Sequence, residues 1–403
     1  MKILHTSDWH LGHTLYNYDR TVEQQAFLRQ LTRIVTEEQP DAMVVSGDIY
    51  HYSSPAATTQ KMYTDAMLNI HQACPGMAIV VTAGNHDSSS KLEIDSSLWQ
   101  HFGLNVVGNI ERTAEEVNLD KHIIEINNEK KTKGYVIAVP HVYPQNFPLL
   151  DTETPRDQRQ ARFFQALLDE VKKRNTAQLP VVLMAHLSIE GSDRSGHDES
   201  IGGIEYVPLS AMGEGYDYLA LGHIHCPQDI KGSHHHARYC GTPLSVSFDE
   251  TYPHSVSIIE LEKGAEPQIS TREIENPIPL VTLPHDPTPF EDALKLLEEY
   301  PEEKPAYLRL NVLTKGYLPP DCNEKASNAA KGKACKYCYI KTTRERQADT
   351  DESKPISIQE MQEMSPLEIA RLYYRETEGK EMDPELCQLM ETVMQKVKSK
   401  NNS

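Results

Sequence analysis

Positive charge is scarce in this sequence: 40 Lys and Arg stand against 59 Asp and Glu, a formal net charge of −19 at pH 7. That balance excludes a protein that coats nucleic acid by charge alone, because such binding rests on many Lys and Arg contacts to phosphate. It leaves room for a nucleic-acid enzyme whose site carries divalent cations, or whose partner supplies the basic surface. No run approaches the apolar length of a membrane span, and Met1-Lys2-Ile3-Leu4-His5 enters a strand directly instead of a signal peptide. Both point to a cytoplasmic protein with no membrane association. The 7 cysteines are odd in number and scattered, which suits a reducing compartment and excludes a disulfide framework. Only Cys335-Lys336-Tyr337-Cys338 has metal-like spacing, and without a second pair it reads as two thiols on a strand ahead of zinc or redox chemistry. Internal repeats and low-complexity tracts are missing too.

What is present begins with a hydrophobic fraction of 38% over 403 residues, enough for two or three domains with full cores. Val44-Val45-Ser46-Gly47-Asp48 is an apolar run that ends in a glycine and a carboxylate, the pattern of a buried strand with Asp48 at the sheet edge. Ile3 to Thr6 leads likewise to Asp8 and His10, Ile79 to Thr82 to Asn85 and His86, Val181 to Met184 to His186, and Tyr218 to Leu221 to His223 and His225. The strand edge is where open α/β folds keep their chemistry.

Between these runs lie helical patterns. Residues from about Arg20 to Glu38 carry Val22, Ala26, Phe27, Leu31, Ile34 and Val35 at helical spacing, and a second helix runs from about Ala56 to Ala73. The order β-α-β-α-β predicts parallel strands with right-handed crossovers. Weaker strands near Leu104–Val107, Ile123–Ile126 and Tyr135–Val139, a helix from Gln158 to Arg174 and the strand at Pro180 imply a second sheet packed on the first. Ser188 to Pro208 has little periodicity and reads as a functional loop. The proline-rich run Glu275–Pro289 marks a domain boundary. A small α+β domain is then expected, with a helix at Phe290–Tyr300 and strands at Tyr307–Leu313 and Lys336–Lys341.

Arg344 to Ser353 reads as a linker, and Ser365-Pro366-Leu367-Glu368 and Asp383-Pro384 open two amphipathic helices. Those helices either dock on another protein or fold back on the parent domain. The expected division is a catalytic domain over 1–275, a capping domain over 276–345, and a linker with docking helices over 346–403.

A single histidine near a strand end is usually a core or surface residue. Asp8, His10, Asp48, Asn85, His186, His223 and His225 together are a carboxylate, amide and imidazole set suited to manganese, iron or zinc, and their number fits two ions. A pair of ions needs a bridging carboxylate, and Asp48 is the expected one. Hydrolysis of a phosphoester is the natural chemistry of such a centre. His86, beside Asn85 on its turn, faces the phosphate or protonates the leaving group in this reading, with Asp87 either joining the catalytic set or orienting His86.

His5-Thr6-Ser7-Asp8-Trp9-His10-Leu11-Gly12, Gly47-Asp48, Gly84-Asn85-His86-Asp87, His186 and Gly222-His223-Ile224-His225 resemble the calcineurin-like metallophosphoesterase superfamily. Within it, the opening octet, Arg238-Tyr239-Cys240-Gly241-Thr242-Pro243 and Ser247-Phe248-Asp249-Glu250 resemble the bacterial nucleases that work with an SMC-like coiled-coil ATPase. The resemblance implies a two-sheet α/β/α sandwich with a small α+β capping domain, and C-terminal helices that dock on the ATPase. It implies manganese-dependent cleavage of DNA, as an exonuclease on duplex ends and an endonuclease on single strands and hairpins. It also implies a homodimer within a heterotetramer.

Carried over by motif, Asp8, His10, Asp48 and His225 would hold one metal, and Asp48, Asn85, His186 and His223 the other. His51 stands where many bacterial members carry Asp; it either helps place His86 and the phosphate or caps its turn. Lys331, Lys333, Lys336, Lys341, Arg344 and Arg346 form a basic cluster that either touches DNA or is a solvated face.

Other classes fit less well. Phosphoprotein phosphatases place Asp-Arg-Gly soon after Gly-Asp, where this chain has His51-Tyr52-Ser53-Ser54. A small-molecule phosphodiesterase would leave the C-terminal domain unexplained, and a scaffold without catalysis would not need every ligand.

Overall fold

The computed structural model describes residues 1–344 apart from 113–116, 129–130, 152, 197–205, 234–235 and 317, and beyond them residues 367–371, 374, 382–383, 386–388 and 390. Residues 1–344 form one compact unit and 345–403 another.

Strands β1 (Lys2–Thr6), β2 (Ala42–Ser46), β3 (Ala78–Thr82) and β4 (Leu104–Val107) pair in parallel, and helices α1 (Thr21–Glu38) and α2 (Ala57–Ala73) cross between the first three. Strands β5 (Ile123–Asn128) and β6 (Lys131–Ala138), helix α3 (Arg159–Arg174), and strands β7 (Val181–His186), β8 (Tyr218–Gly222), β9 (Gln228–Asp229) and β10 (Ala237–Tyr239) follow. They form a second sheet in the order β9-β10-β8-β7-β6-β5. Strand β11 (Ser255–Glu260) returns antiparallel to β1, and β12 (Gln268–Glu273) pairs antiparallel to β11, giving the first sheet the order β12-β11-β1-β2-β3-β4.

The two sheets lie face to face. Side chains alternate along β2: Ala42 and Val44 meet Val136, Val182, Met184 and Ala220 of the second sheet, while Met43 and Val45 meet Phe27, Leu31, Met67 and Ile70 of α1 and α2. Burial on both faces is why β2 reads as a continuous apolar run. Helix α3 covers the far side of the second sheet with Phe163, Phe164, Leu167 and Val171. The result is the expected two-sheet α/β sandwich with helices outside.

The stripe of α1 departs from its periodicity at the first turn. Val22 is exposed, and the polar Glu23 and Gln24 are buried in its place. Helix α1 ends at Gln39, a left-handed residue whose N–H donates to Val35 O, just before Pro40.

Strands β13 (Leu280–Thr288), β14 (Tyr307–Thr314) and β15 (Lys336–Arg344) form a third sheet, with helices α4 (Phe290–Glu298) and α5 (Cys322–Ala330) packed on it. The proline-rich run thus continues into a strand. Pro284 and Pro287 are tolerated because β13 is an edge strand and its register shifts between Leu283 and Thr288. Cys335 belongs to the α4–α5 core, whereas Cys338 packs on the other face with Leu15 and Tyr307. Cys335 lies just before β15 and Cys338 within it, the two thiols face different clusters, and no cysteine joins a metal-like group among the described residues.

Ser188–Ile189 pairs with Tyr206–Val207 at the ends of the expected loop, whose middle lies outside the described residues. The expected linker and most of the two C-terminal helices also lie outside them; residues 367–371 and 386–388 are helical. Among the described residues no helix is long and apolar enough to cross a membrane.

Candidate metal centre

The C-terminal ends of β1, β2, β3, β7 and β8 converge; the turns after β1, β2, β3 and β8 carry their side chains in, and β7 presents His186 as its last residue. Asp8, His10, Asp48 and His223 all sit at positive φ, of 53, 45, 51 and 99°. Such strain in non-glycine residues persists only where the surroundings hold it, and it clusters at functional sites. The holding is by backbone: Asp8 N–H donates to Gly47 O and His10 N–H to Asp48 O, both at 3.0 Å, and Leu11 N–H to Ile49 O at 2.9 Å.

Two glycines make the approach possible. A Cβ on Gly47 would lie 2.2 Å from His186 Nδ1, and one on Gly84 would lie 2.1 Å from Asp48 Oδ1.

All seven expected ligands are brought together. Ligand atoms of Asp8, His10 and His225 lie within 4.8 Å of one another, as do those of Asp8, Asp48 and His186. Asp48 stands between the two sets, its Oδ2 3.8 Å from His10 Nε2 and 3.5 Å from His186 Nε2. Its Oδ1 accepts the His86 N–H at 2.9 Å. Asp8 is shared by both sets as well, and both its oxygens accept from His223 N–H, at 3.1 and 3.2 Å. Asn85 Oδ1 lies 3.0 Å from both His186 Nε2 and His223 Nδ1.

With its imidazoles neutral, the form in which they bind metal, the donor set turns lone pairs on one another. His186 donates Nδ1–H to Ser46 O at 2.8 Å, so in the neutral ring Nε2 is a lone pair. That lone pair faces the oxygens of Asn85 and Asp48, acceptor against acceptor. His225 repeats the pattern: its Nδ1 gives its proton to Glu250 Oε1 at 2.9 Å, and its Nε2 faces His10 Nε2 at 3.3 Å. A divalent cation resolves such contacts.

Charge leads to the same place. Burial pulls the His186 imidazolium down, but Asp48 and Asp8 outweigh it and push the group up to about 9. Burial likewise opposes ionisation of Asp48, yet His186 and His10 beside it hold its carboxyl well below the usual range. Around His186 the site therefore favours positive charge, whereas burial holds His10 well below its ordinary value.

His86 lies at the rim of this set. Its Nδ1–H donates to His51 O at 2.9 Å, and its ring stacks on His51 at 5.3 Å and 25°. His51 Nδ1 is 3.4 Å from His10 Nδ1, and the ligand atoms of His10, His51 and His86 lie within 4.8 Å of one another. His51 thus lies against the site and does not merely cap its turn.

Asp87 corrects an expectation. Its oxygens accept backbone N–H groups from Gly84 and Tyr50 at 2.9 Å and from Ile49 at 3.1 Å. With both oxygens engaged, Asp87 pins the 84–87 turn to the 48–50 turn; it neither orients the His86 ring nor joins the catalytic atoms.

Three supporting residues escape sequence reasoning. Glu250 is 25 positions from His225, and no spacing rule joins them. His141, just past β6, donates Nδ1–H to His186 O at 3.1 Å and lies parallel to the His223 ring at 6.5 Å. Its place after a strand on the same sheet edge is the available signal. His13 packs edge-on against His51 at 4.5 Å.

Three of the six residues of the basic cluster have partners within the chain. Lys333 Nζ donates to Leu297 O and Tyr300 O at 2.9 Å, closing the end of α4; Lys336 Nζ lies on the Tyr307 ring; Lys341 Nζ pairs with Asp249 at 3.1 Å. Arg346 lies outside the described residues.

Comparison with known proteins gives matches at both ends of this architecture. Residues 1–227 match the model of the calcineurin-like phosphoesterase family, and residues 276–378 match one described as the type 5 capsule protein repressor C-terminal domain. The D subunit of the nuclease SbcCD of Rhodobacter capsulatus is 33% identical over 309 residues, covering 74% of this chain and 75% of that protein. Its Escherichia coli K12 counterpart is 27% identical over 395 residues, covering 95% and 94%, and that of Bacillus subtilis 31% identical over 277 residues, covering 66% and 68%. With the phosphoesterase model spanning more than half of its residues and relatives aligned over most of its length, the chain belongs to the calcineurin-like phosphoesterase family, in the SbcD branch.

Proposed function

We propose that this chain is a metal-dependent DNA nuclease that hydrolyses phosphodiesters with two divalent cations, manganese being the preferred ion. The observation that carries the reading is the set of lone pairs from Asp8, His10, Asp48, Asn85, His186, His223 and His225 turned on one another, in a chain whose relatives are named as nuclease subunits. Asp8, His10, Asp48 and His225 would hold one cation, and Asp48, Asn85, His186 and His223 the other. The chemistry such a pair would supply is activation of a water and neutralisation of charge developing on the phosphate oxygens.

The chain's own groups do the rest. With His10 Nε2 turned to the centre, its Nδ1 proton is given to His51 Nδ1 at 3.4 Å, which leaves His51 Nε2–H as a donor for a phosphate oxygen. His86 is fixed by its Nδ1–H bond to His51 O at 2.9 Å, so Nε2 is the nitrogen left for substrate, and in the imidazolium form it would donate to the phosphate or protonate the leaving oxygen.

In detail, the activity is 3′–5′ exonuclease action on duplex ends and endonuclease action on single strands and hairpins, in DNA repair, recombination and replication in the cytoplasm. The chain acts as a homodimer within a heterotetramer with an SbcC-like coiled-coil ATPase, docked through residues from about Ser357 onward. Removing those residues is expected to end co-purification with the ATPase and leave single-strand cleavage intact; unchanged co-purification would remove the docking proposal. A monomer mass by light scattering at micromolar concentration would remove the homodimer.

The test of the nuclease reading is degradation of linear duplex DNA by the purified chain with manganese. Hydrolysis of a small phosphodiester with no DNA cleavage, even with the ATPase added, would favour the second reading, a small-molecule phosphodiesterase.

A further inference from the structure

Arg20, Glu23 and Tyr307 are buried polar side chains outside the metal set. Arg20 precedes α1 and Glu23 lies in its first turn, where the amphipathic pattern calls for an apolar residue. Burying an ion pair is costly, and this one is incompletely compensated: Arg20 Nη2 and Glu23 Oε2 have no hydrogen-bond partner among the described residues. A pair kept at that cost calls for a reason in geometry.

The pair joins the third sheet to the catalytic rim. On one side, Tyr307 of β14 donates its hydroxyl to Glu23 Oε1 at 2.7 Å, and Lys336 of β15 donates Nζ to the same hydroxyl at 3.3 Å. Arg20 Nε meets Glu23 Oε1 at 3.4 Å. On the other side, Arg20 Nη1 donates to Ser245 O at 2.6 Å and to His13 Nδ1 at 3.2 Å. A guanidinium only donates, so His13 Nδ1 accepts and its proton lies on Nε2. His13 then packs on His51, and His51 on His86, with centroids 4.5 and 5.3 Å apart. Gln24, next along α1, steadies the same segment by accepting Gly12 N–H at 3.1 Å and donating to His13 O at 3.3 Å.

A second arm leaves the same face of β14. Arg309 is two residues from Tyr307, hence on the same side of the strand, and it donates to Asp249 Oδ1 at 2.8 Å. The neighbouring residue, Glu250, receives His225 Nδ1 at 2.9 Å. One strand face of the cap thus reaches the supports of two site histidines.

We propose that Tyr307, Glu23 and Arg20 are positioning residues that couple the seating of the cap on α1 to catalysis, by setting His13 and through it the His51–His86 pair. This rests on the function proposed for the site, in which His51 and His86 act on the phosphate. The cap then has a part in the chemical step.

The test is a double-mutant cycle on kcat in the full chain with saturating manganese and bis(p-nitrophenyl) phosphate as substrate. Tyr307→Phe keeps the ring against Leu15 and Phe248 and removes only the hydroxyl. It is expected to lower kcat about fivefold or more with KM within about twofold. In a His13→Ala background the same change is expected to cost less than about twofold, because residues acting through one another are non-additive. Equal costs in the two backgrounds, or an unchanged kcat in Tyr307→Phe, would overturn the coupling. Glu23→Gln, run through the same cycle, decides in the same way should Tyr307→Phe not fold. Should the unaltered chain cleave linear duplex DNA but not this diester, the same cycle is read on DNA; hydrolysis of neither would overturn the function proposed for the site, and this proposal with it.

Discussion

Replacing His86 by alanine should separate chemistry from metal binding. The backbone N–H of residue 86, which donates to Asp48 Oδ1 at 2.9 Å, survives the change, so the Asp48 carboxylate keeps its orientation. What is lost is the ring, its Nδ1 bond to His51 O and its stack on His51. The ring is only partly buried, so the stability cost is that of one hydrogen bond and a stack, about 1 kcal/mol, too little to unfold the domain. A positioned acid or phosphate contact is worth about 10²- to 10⁴-fold in rate, or about 2.7–5.4 kcal/mol of barrier. The assay is release of nucleotides from linear duplex DNA with manganese, alongside a calorimetric titration of manganese into the same variant. The expected outcome is a loss of turnover in that range with unchanged metal stoichiometry. Turnover within about tenfold of the unaltered chain, or loss of a metal equivalent, would refute the assignment of His86 to the phosphate.

Further outcomes follow from the same geometry. Gly84→Ala places a Cβ 2.1 Å from Asp48 Oδ1 and must displace that carboxylate, so manganese binding and DNA cleavage should both fail while the circular dichroism spectrum remains that of a folded protein; an active variant would contradict the role of Asp48. Manganese affinity should depend on pH with a definite sign. Without metal, the His186 group pushed up to about 9 holds a proton at neutral pH, and binding must expel it. Affinity should therefore rise by about tenfold per pH unit from about pH 7 towards 9, with proton uptake by the protein on metal removal, read with a dye indicator. A flat affinity profile would contradict the expulsion.

The five site strands are legible because each is an apolar run buried on both faces and ended by Gly, Asp, Asn or His, as Val44 to Asp48 illustrates. The seven candidate ligands stand at or just after those ends. Strand β13 is hidden because Pro284 and Pro287 look like breakers; only pairing on one side, at a sheet edge, lets them stay. Helix α5 escapes notice because Cys322, Ala326 and Ala330 are too small to make a visible stripe. Periodicity puts Val22 on the buried face of α1 because it sees hydropathy and not the guanidinium, carboxylate and phenol that occupy that turn. Adjacency in sequence draws Asp87 into the catalytic set, although its backbone partners at Ile49 and Tyr50 come from a different turn. Glu250 and His13 act on site histidines across tertiary contacts, which a linear pattern does not encode.

The proposed chemistry depends most on Asp48 joining two cations in one centre. Electron paramagnetic resonance of the chain loaded with manganese measures this directly, because two Mn²⁺ ions about 3.5–4 Å apart are exchange-coupled and lose the six-line signal of an isolated ion. A coupled signal is expected at two equivalents in the unaltered chain, together with its loss in Asp48→Asn. A six-line, uncoupled spectrum at two equivalents, or a coupled signal that survives Asp48→Asn, would contradict the bridge.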